Sequence, residues 1–232
     1  MPVALVSGGG RGLGAEISHR LLRDGWTVSI GMRRPDDAPA FAPTDRVHVA
    51  RFDADAPDTA ASWVDEAAAR FGAIDALINN AGILRMVDFE RGDEADLDAM
   101  WSVNVKAPFR LIKAALPHLR ATGHGRVINI ASTDGKRYRD TTTSLGYVMT
   151  KHALVAMTHA ARFAGWEDGV RATAICPGAI DTEMIAGLPG VTPVSGRLKP
   201  QTVADIVAFL LTLPNEASVP ELVANTRLES TV

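Results

Sequence analysis

The chain is predicted to be a doubly wound α/β protein, with a parallel sheet of about seven strands and helices on both faces. Two observations carry that prediction. Strand-length apolar runs alternate with longer segments of helical period, the pattern of a parallel sheet covered on both sides. The first run leads directly into a glycine cluster and then a helix, the junction where open α/β sheets hold phosphates.

Residues 3–6 read as the first buried strand, followed by the glycine-rich turn and a helix over about 13–23. Strands are predicted at 26–32 and 46–52, then a helix at about 58–71 and a fourth strand at 74–79. A long helix is predicted over about 96–119, a fifth strand over 126–132, another long helix over about 144–166 and a sixth strand over 170–176. A last helix covers 202–213, and a short strand lies near 222–226. The least regular stretches are 32–45, 135–143 and 187–200. The last of these, rich in Gly and Pro, resists helix and strand and suits a lid.

A length of 232 residues fits one large domain, residues 1–232, better than two small ones. Apolar residues make up 47% and charged residues 22%, as in ordinary globular proteins. With a net charge of −3 and no basic stripe, nucleic acid is not an expected partner. The single cysteine, Cys176, excludes an internal disulfide and fits a reducing compartment. No apolar run reaches the roughly 18 residues of a membrane span, and the first residues read as a strand rather than a signal peptide. A cytoplasmic location without membrane contact is expected. The six histidines show no metal-ligand spacing, so no metal is expected.

Two features carry chemistry. The turn Ser7-Gly8-Gly9-Gly10-Arg11-Gly12-Leu13-Gly14 places glycines where a backbone must approach a pyrophosphate, at a helix start with free N–H groups. Its spacing, with Gly8, Gly12 and Gly14, is not the common G-x-G-x-x-G. At the end of the second strand, where an acid would select NAD(H), the chain has Met32-Arg33-Arg34. Arg33, with Arg11 as a second charge, favours NADP(H) over NAD(H); Asp36 or Asp37 would reverse that if the strand ended later. Second, Tyr147 and Lys151 stand at i, i+4, so on a helix they share a face. A cation beside a phenol lowers its pKa and yields a proton donor for use near neutral pH.

These residues, with others in register, resemble the short-chain dehydrogenase/reductase family of the compact single-domain kind, over roughly residues 1–185. The turn from Ser7 to Gly14 looks like that family's cofactor turn. Asn79-Asn80-Ala81-Gly82, Asn104, Ser132, the Tyr147-x-x-x-Lys151 pair and Pro177-Gly178-Ala179-Ile180-Asp181-Thr182 resemble its other motifs. The resemblance implies a Rossmann-like fold and hydride transfer between a nicotinamide and a carbonyl or secondary alcohol. It implies that Tyr147 donates the proton, Ser132 holds the carbonyl oxygen, Lys151 lowers the Tyr147 pKa and binds the ribose, and Asn104 holds a relay water. Asp53 aligns with an acid that contacts adenine; Asn80, Ala81 and Gly82 would line the cofactor, as would Pro177 and Gly178, with Ile180 and Thr182 at its carboxamide. A homo-oligomer, dimer or tetramer, is also implied.

Some features depart from the family pattern. The approach from Ser132 to Tyr147 is longer than usual and holds Lys136, Arg137 and Arg139, which would favour an anionic substrate unless they are simply solvated. Asn79 and Asn80 also read as structural, bonding neighbouring strands. The competing readings are a non-catalytic NADP-binding regulator of the same fold, for which Tyr147 has no use, and a nucleotide-sugar epimerase, which needs a larger substrate domain.

Overall fold

The computed structural model describes residues 1–41, 44–188 and 192–226. Seven strands form one sheet in the order β3-β2-β1-β4-β5-β6-β7: β1 Val3–Ser7, β2 Thr27–Met32, β3 Val47–Arg51, β4 Ala76–Asn79, β5 Arg126–Ile130, β6 Arg171–Pro177 and β7 Glu221–Ala224. Every pairing is parallel. The helices are α1 Gly12–Arg23, α2 Asp58–Phe71, α3 Glu94–Trp101, α4 Ala107–Ala121, α5 Leu145–Gly165 and α6 Pro200–Thr212.

Successive strand residues point to opposite faces, and the core divides accordingly. Val3 and Leu5 of β1 pack with Trp63 and Val64 of α2 and Leu111 and Leu119 of α4. Ala4 and Val6 pack on the other side with Ile17 and Leu21 of α1 and Val203 and Val207 of α6. Both faces are therefore covered, which is why these strands are apolar throughout. Strand order reverses between β1 and β4, and the crevice at the carboxyl ends of such strands is where ligands enter doubly wound sheets.

The expected helix over 96–119 is not continuous. A π-helical turn at Ser102–Lys106 separates α3 from α4, and Asn104 sits within it. Such turns widen the helix locally and recur at functional sites. Hydrophobic period does not reveal one, because the apolar face continues through it. The strand predicted over 126–132 ends at Ile130, after which Ser132 opens a short 3-10 turn, Thr133–Gly135. The expected lid over 187–200 partly falls outside the described residues, which omit 189–191. Its later part folds back, with a parallel bridge from Leu198 to Ile180.

Candidate active site

The glycine turn opens where β1 ends. Gly8 and Gly12 have φ of 66° and 53°, the left-handed region that side chains avoid. A Cβ at Gly14 would run into the Gly8 carbonyl and the Asn80 amide. The N-terminus of α1 has no side-chain cap and no acid in its first turn, so its leading N–H groups remain available to an anion. Leu13 is buried in the core below the turn, leaving only its main chain for a ligand. Across the crevice Asn80 donates to the Ser7 and Gly8 carbonyls at 3.0 and 3.2 Å. Ser7 Oγ accepts from the Asn80 and Ala81 N–H groups at 3.0 and 3.1 Å. The two lips of the crevice are thus one hydrogen-bonded unit. This is a cradle that fits a dinucleotide pyrophosphate.

β2 ends at Met32, and Arg33 follows, exposed. Asp36 and Asp37 lie beyond it in the 3-10 turn Pro35–Asp37, where Asp37 pairs with Arg34 at 2.6 Å. Arg11 pairs with Glu183 at 3.0 Å, both side chains exposed. One Asp53 oxygen accepts from the Asp55 N–H at 3.2 Å, and the other lies 3.6 Å from Arg51.

Tyr147 and Lys151 occupy α5 and are both buried. The Lys151 ammonium lies 5.4 Å from the centre of the Tyr147 ring and donates to the Ile130 carbonyl at 2.8 Å. Burial lowers the Lys151 pKa to about 8. The Tyr147 phenol is pushed well above its ordinary value, first by burial and then by the Asp134 carboxylate; the Ser132 hydroxyl acts in the opposite direction. The expected lowering of the phenol pKa is corrected: burial raises it instead. Desolvation of a fully enclosed phenol outweighs a cation whose hydrogen bond goes to a backbone carbonyl.

Ser132 Oγ also accepts from the Asp134 N–H at 3.0 Å. Asn104 accepts from the Ile83 N–H and donates to the Ile83 carbonyl, both at 2.9 Å, and donates to Thr150 at 3.1 Å. Both amide protons of Asn104 are therefore committed. Thr150 in turn donates to the Tyr147 carbonyl at 2.8 Å. A Cβ at Gly82 would meet Asn104 Oδ1 at 3.4 Å and Lys151 Nζ at 3.7 Å, so the segment after β4 runs directly beside the buried lysine.

Thr182 faces the glycine turn, its methyl 3.7 Å from a Cβ built at Gly12. Pro177 closes β6, and Ile180 pairs with Leu198. At Gly178 the close neighbour is Thr226, at 2.9 Å from a built Cβ, so packing beside β7 already requires a glycine there. Asn79 donates to Asn129 at 2.8 Å and Asn129 to Thr158 at 2.8 Å, a buried polar ladder from β4 through β5 to α5. In the loop with three basic residues, Lys136 is paired with Glu221 and Arg139 with Asp140; Arg137 is engaged as well.

Three contributors were not singled out from sequence. Ser144 caps α5, accepting from the Tyr147 N–H at 3.2 Å and donating to the Arg85 carbonyl at 2.6 Å. A serine three residues before Tyr147 is a readable cap signal. Thr150 and the Ile130 carbonyl left no such signal, since the site residues that bond them, Asn104 and Lys151, come from other elements.

A family model described as short chain dehydrogenase matches residues 2–189. The chain belongs to the short-chain dehydrogenase family. It is 42% identical over 222 residues to an agropine synthesis reductase of Rhizobium rhizogenes, covering 94% of the chain and 51% of that protein. The chain thus spans about half the length of that curated relative. Among solved structures it is similar to an alcohol dehydrogenase from the archaeon Thermococcus sibiricus complexed with 5-hydroxy-NADP, with TM-score 0.86, 29% identity and 99% of each chain covered. A 3-ketoacyl-(acyl-carrier-protein) reductase from Brucella melitensis complexed with NADH aligns with TM-score 0.88, 26% identity and 97% of each chain covered. Both of these solved relatives of the fold were determined with a nicotinamide cofactor or its derivative bound. Among the described residues no helix is long and apolar enough to cross a membrane, and no group of His, Cys, Asp or Glu is arranged to hold a metal ion.

Proposed function

We propose that this oxidoreductase reduces a carbonyl compound with NADPH, using Ser132, Tyr147 and Lys151. The observation that carries the reading is the buried phenol of Tyr147, influenced by the Ser132 hydroxyl and backed by Lys151, on the same crevice as the glycine cradle. When bound, the cofactor supplies the hydride. Tyr147, kept protonated by burial, is the proton donor to the carbonyl oxygen, a role typically worth about 10²–10⁴-fold. Ser132 holds that oxygen by hydrogen bonding. Lys151 balances charge beneath the ring and reaches the ribose side of the crevice. Asn104 holds the Ile83 peptide and Thr150 in place, and its side-chain oxygen retains a lone pair for a relay water.

The cradle of Gly8, Arg11, Gly12, Leu13 and Gly14 holds the pyrophosphate through main-chain N–H groups. Asn80, Ala81 and Gly82 would line the crevice opposite, Asp53 would contact the adenine, and the segment from Pro177 to Thr182 would hold the nicotinamide. NADP(H) is favoured because β2 ends before any acid and leaves Arg33 exposed; Arg11 in the turn, paired at its tip with Glu183, is the second charge on that side. NADP and NADH both occur in similar structures, so the preference rests on this chain's own arginines. Reduction is the favoured direction, in line with relatives named as reductases. With Lys136 and Arg139 already paired, the basic loop gives no support for an anionic substrate. The protein is read as one cytoplasmic domain that assembles with copies of itself. The test is to mix it with NADPH and a panel of aldehydes and ketones and follow cofactor absorbance. Tight NADPH binding with no turnover on any of them would favour a binding protein instead.

A further inference from the structure

One carboxylate joins the two elements that carry the reacting groups. Glu221 begins β7. Its Oε2 receives the ammonium of Lys136, and its Oε1 lies 2.8 Å from His159 Nε2. Lys136 ends the 3-10 turn that Ser132 begins, its N–H donating to the Thr133 carbonyl at 3.0 Å. His159 lies on α5, two turns beyond Lys151. The Ser132 turn is also pressed against that helix. A Cβ at Gly135 would come within 2.9 Å of the Lys151 carbonyl oxygen and 3.3 Å of Lys151 Cβ. Turn and helix therefore meet with no room for a side chain, and Glu221 spans the joint from a third element.

We propose that Glu221 is a positioning residue that sets the placement of Ser132 relative to Tyr147 and Lys151, through Lys136 on one side and His159 on the other. The proposal rests on the catalytic reading of those three residues given above. An isolated exposed ion pair adds little to stability. This carboxylate is different in kind, because it is only 23% exposed and shared between the Lys136 ammonium and the His159 imidazole, which come from separate elements. Its effect is geometric. Misplacement by about 1 Å, even from a change remote from the chemistry, can cost about 10²-fold in rate. The glycine cradle on β1 and α1 is not part of the joint, so the main-chain grip on the pyrophosphate is left alone.

The test uses the full chain and the variants Glu221→Gln, Lys136→Met and their double, with Tyr147→Phe as a reference. Turnover is measured with NADPH and the fastest ketone of the panel, and backbone hydrogen exchange is measured over 132–136 and over α1. Each single variant should lower kcat about tenfold to a hundredfold while the KM for NADPH stays within about twofold. The double should lose no more than the worse single, since both break one link. Exchange should quicken over 132–136 and stay unchanged in α1. An unchanged kcat in Glu221→Gln, with wild type active and Tyr147→Phe inactive, would overturn the proposal, as would additive losses. If instead wild type is inactive or Tyr147→Phe remains active, it is the catalytic reading that has failed. Exchange over 132–136 then decides the role of Glu221 alone, and no change there overturns it.

Discussion

The Lys151 ammonium sits 5.4 Å from the centre of the Tyr147 ring and gives its hydrogen bond to the Ile130 carbonyl at 2.8 Å. The pair is arranged as a cation beneath a ring, with the charge anchored to β5. This arrangement means that substitutions at the two positions should have separable consequences.

Replacing Tyr147 by Phe removes the donor and leaves the ring in place. Turnover with NADPH and any active ketone should fall by about 10²–10⁴-fold, while NADPH affinity, followed by fluorescence titration, stays nearly the same. Retained activity would sink the proposed mechanism.

Lys151→Met should change the pH dependence of stability. The Lys151 pKa is depressed to about 8 by burial, against 10.5 for the ordinary group. Between those values the unfolded chain binds the proton more than the folded one, so this group makes stability rise with pH. Tyr147 has the opposite sign, but only above pH 10, where the unfolded phenol ionises and the folded one does not. Thermal melts of the cofactor-free protein from pH 8 to 10 should therefore show wild type gaining stability relative to Lys151→Met. Parallel curves would contradict the burial argument.

Arg33→Ala should weaken NADPH by about 10- to 100-fold, the loss of one charge-assisted contact, and leave NADH nearly unaffected. Titration of both cofactors checks this, and equal losses would remove the assignment of NADP(H).

Gly31→Ala probes the sheet beneath the crevice. A Cβ there would press on the Trp63 ring at 2.5–2.7 Å, and Trp63 is fully buried with its indole N–H bonded to Ser29 at 2.8 Å. Overpacking of this kind costs about 1–3 kcal/mol. Urea denaturation should show a lower midpoint with an unchanged slope, and Gly31→Ala at wild-type stability would refute the packing described.

Much of this protein is legible in its sequence, because local signals agree with the fold. Apolar runs and helical period give the alternating elements, glycines at Gly8, Gly12 and Gly14 mark the cradle, and the i, i+4 spacing places Tyr147 and Lys151 on one helix face. Those features depend on neighbours in the chain, whose geometry the backbone dictates. The tertiary structure decided what depends on distant partners. It placed Asn104 in a π turn with its amide committed to Ile83 and Thr150, and it tied Gly178 to Thr226. It neutralised Lys136 and Arg139, and it raised the Tyr147 pKa through enclosure that no sequence spacing reports. Burial and long-range pairing are sums over residues far apart in the chain, so a motif can name the reacting groups while only the folded surroundings set their charge and position.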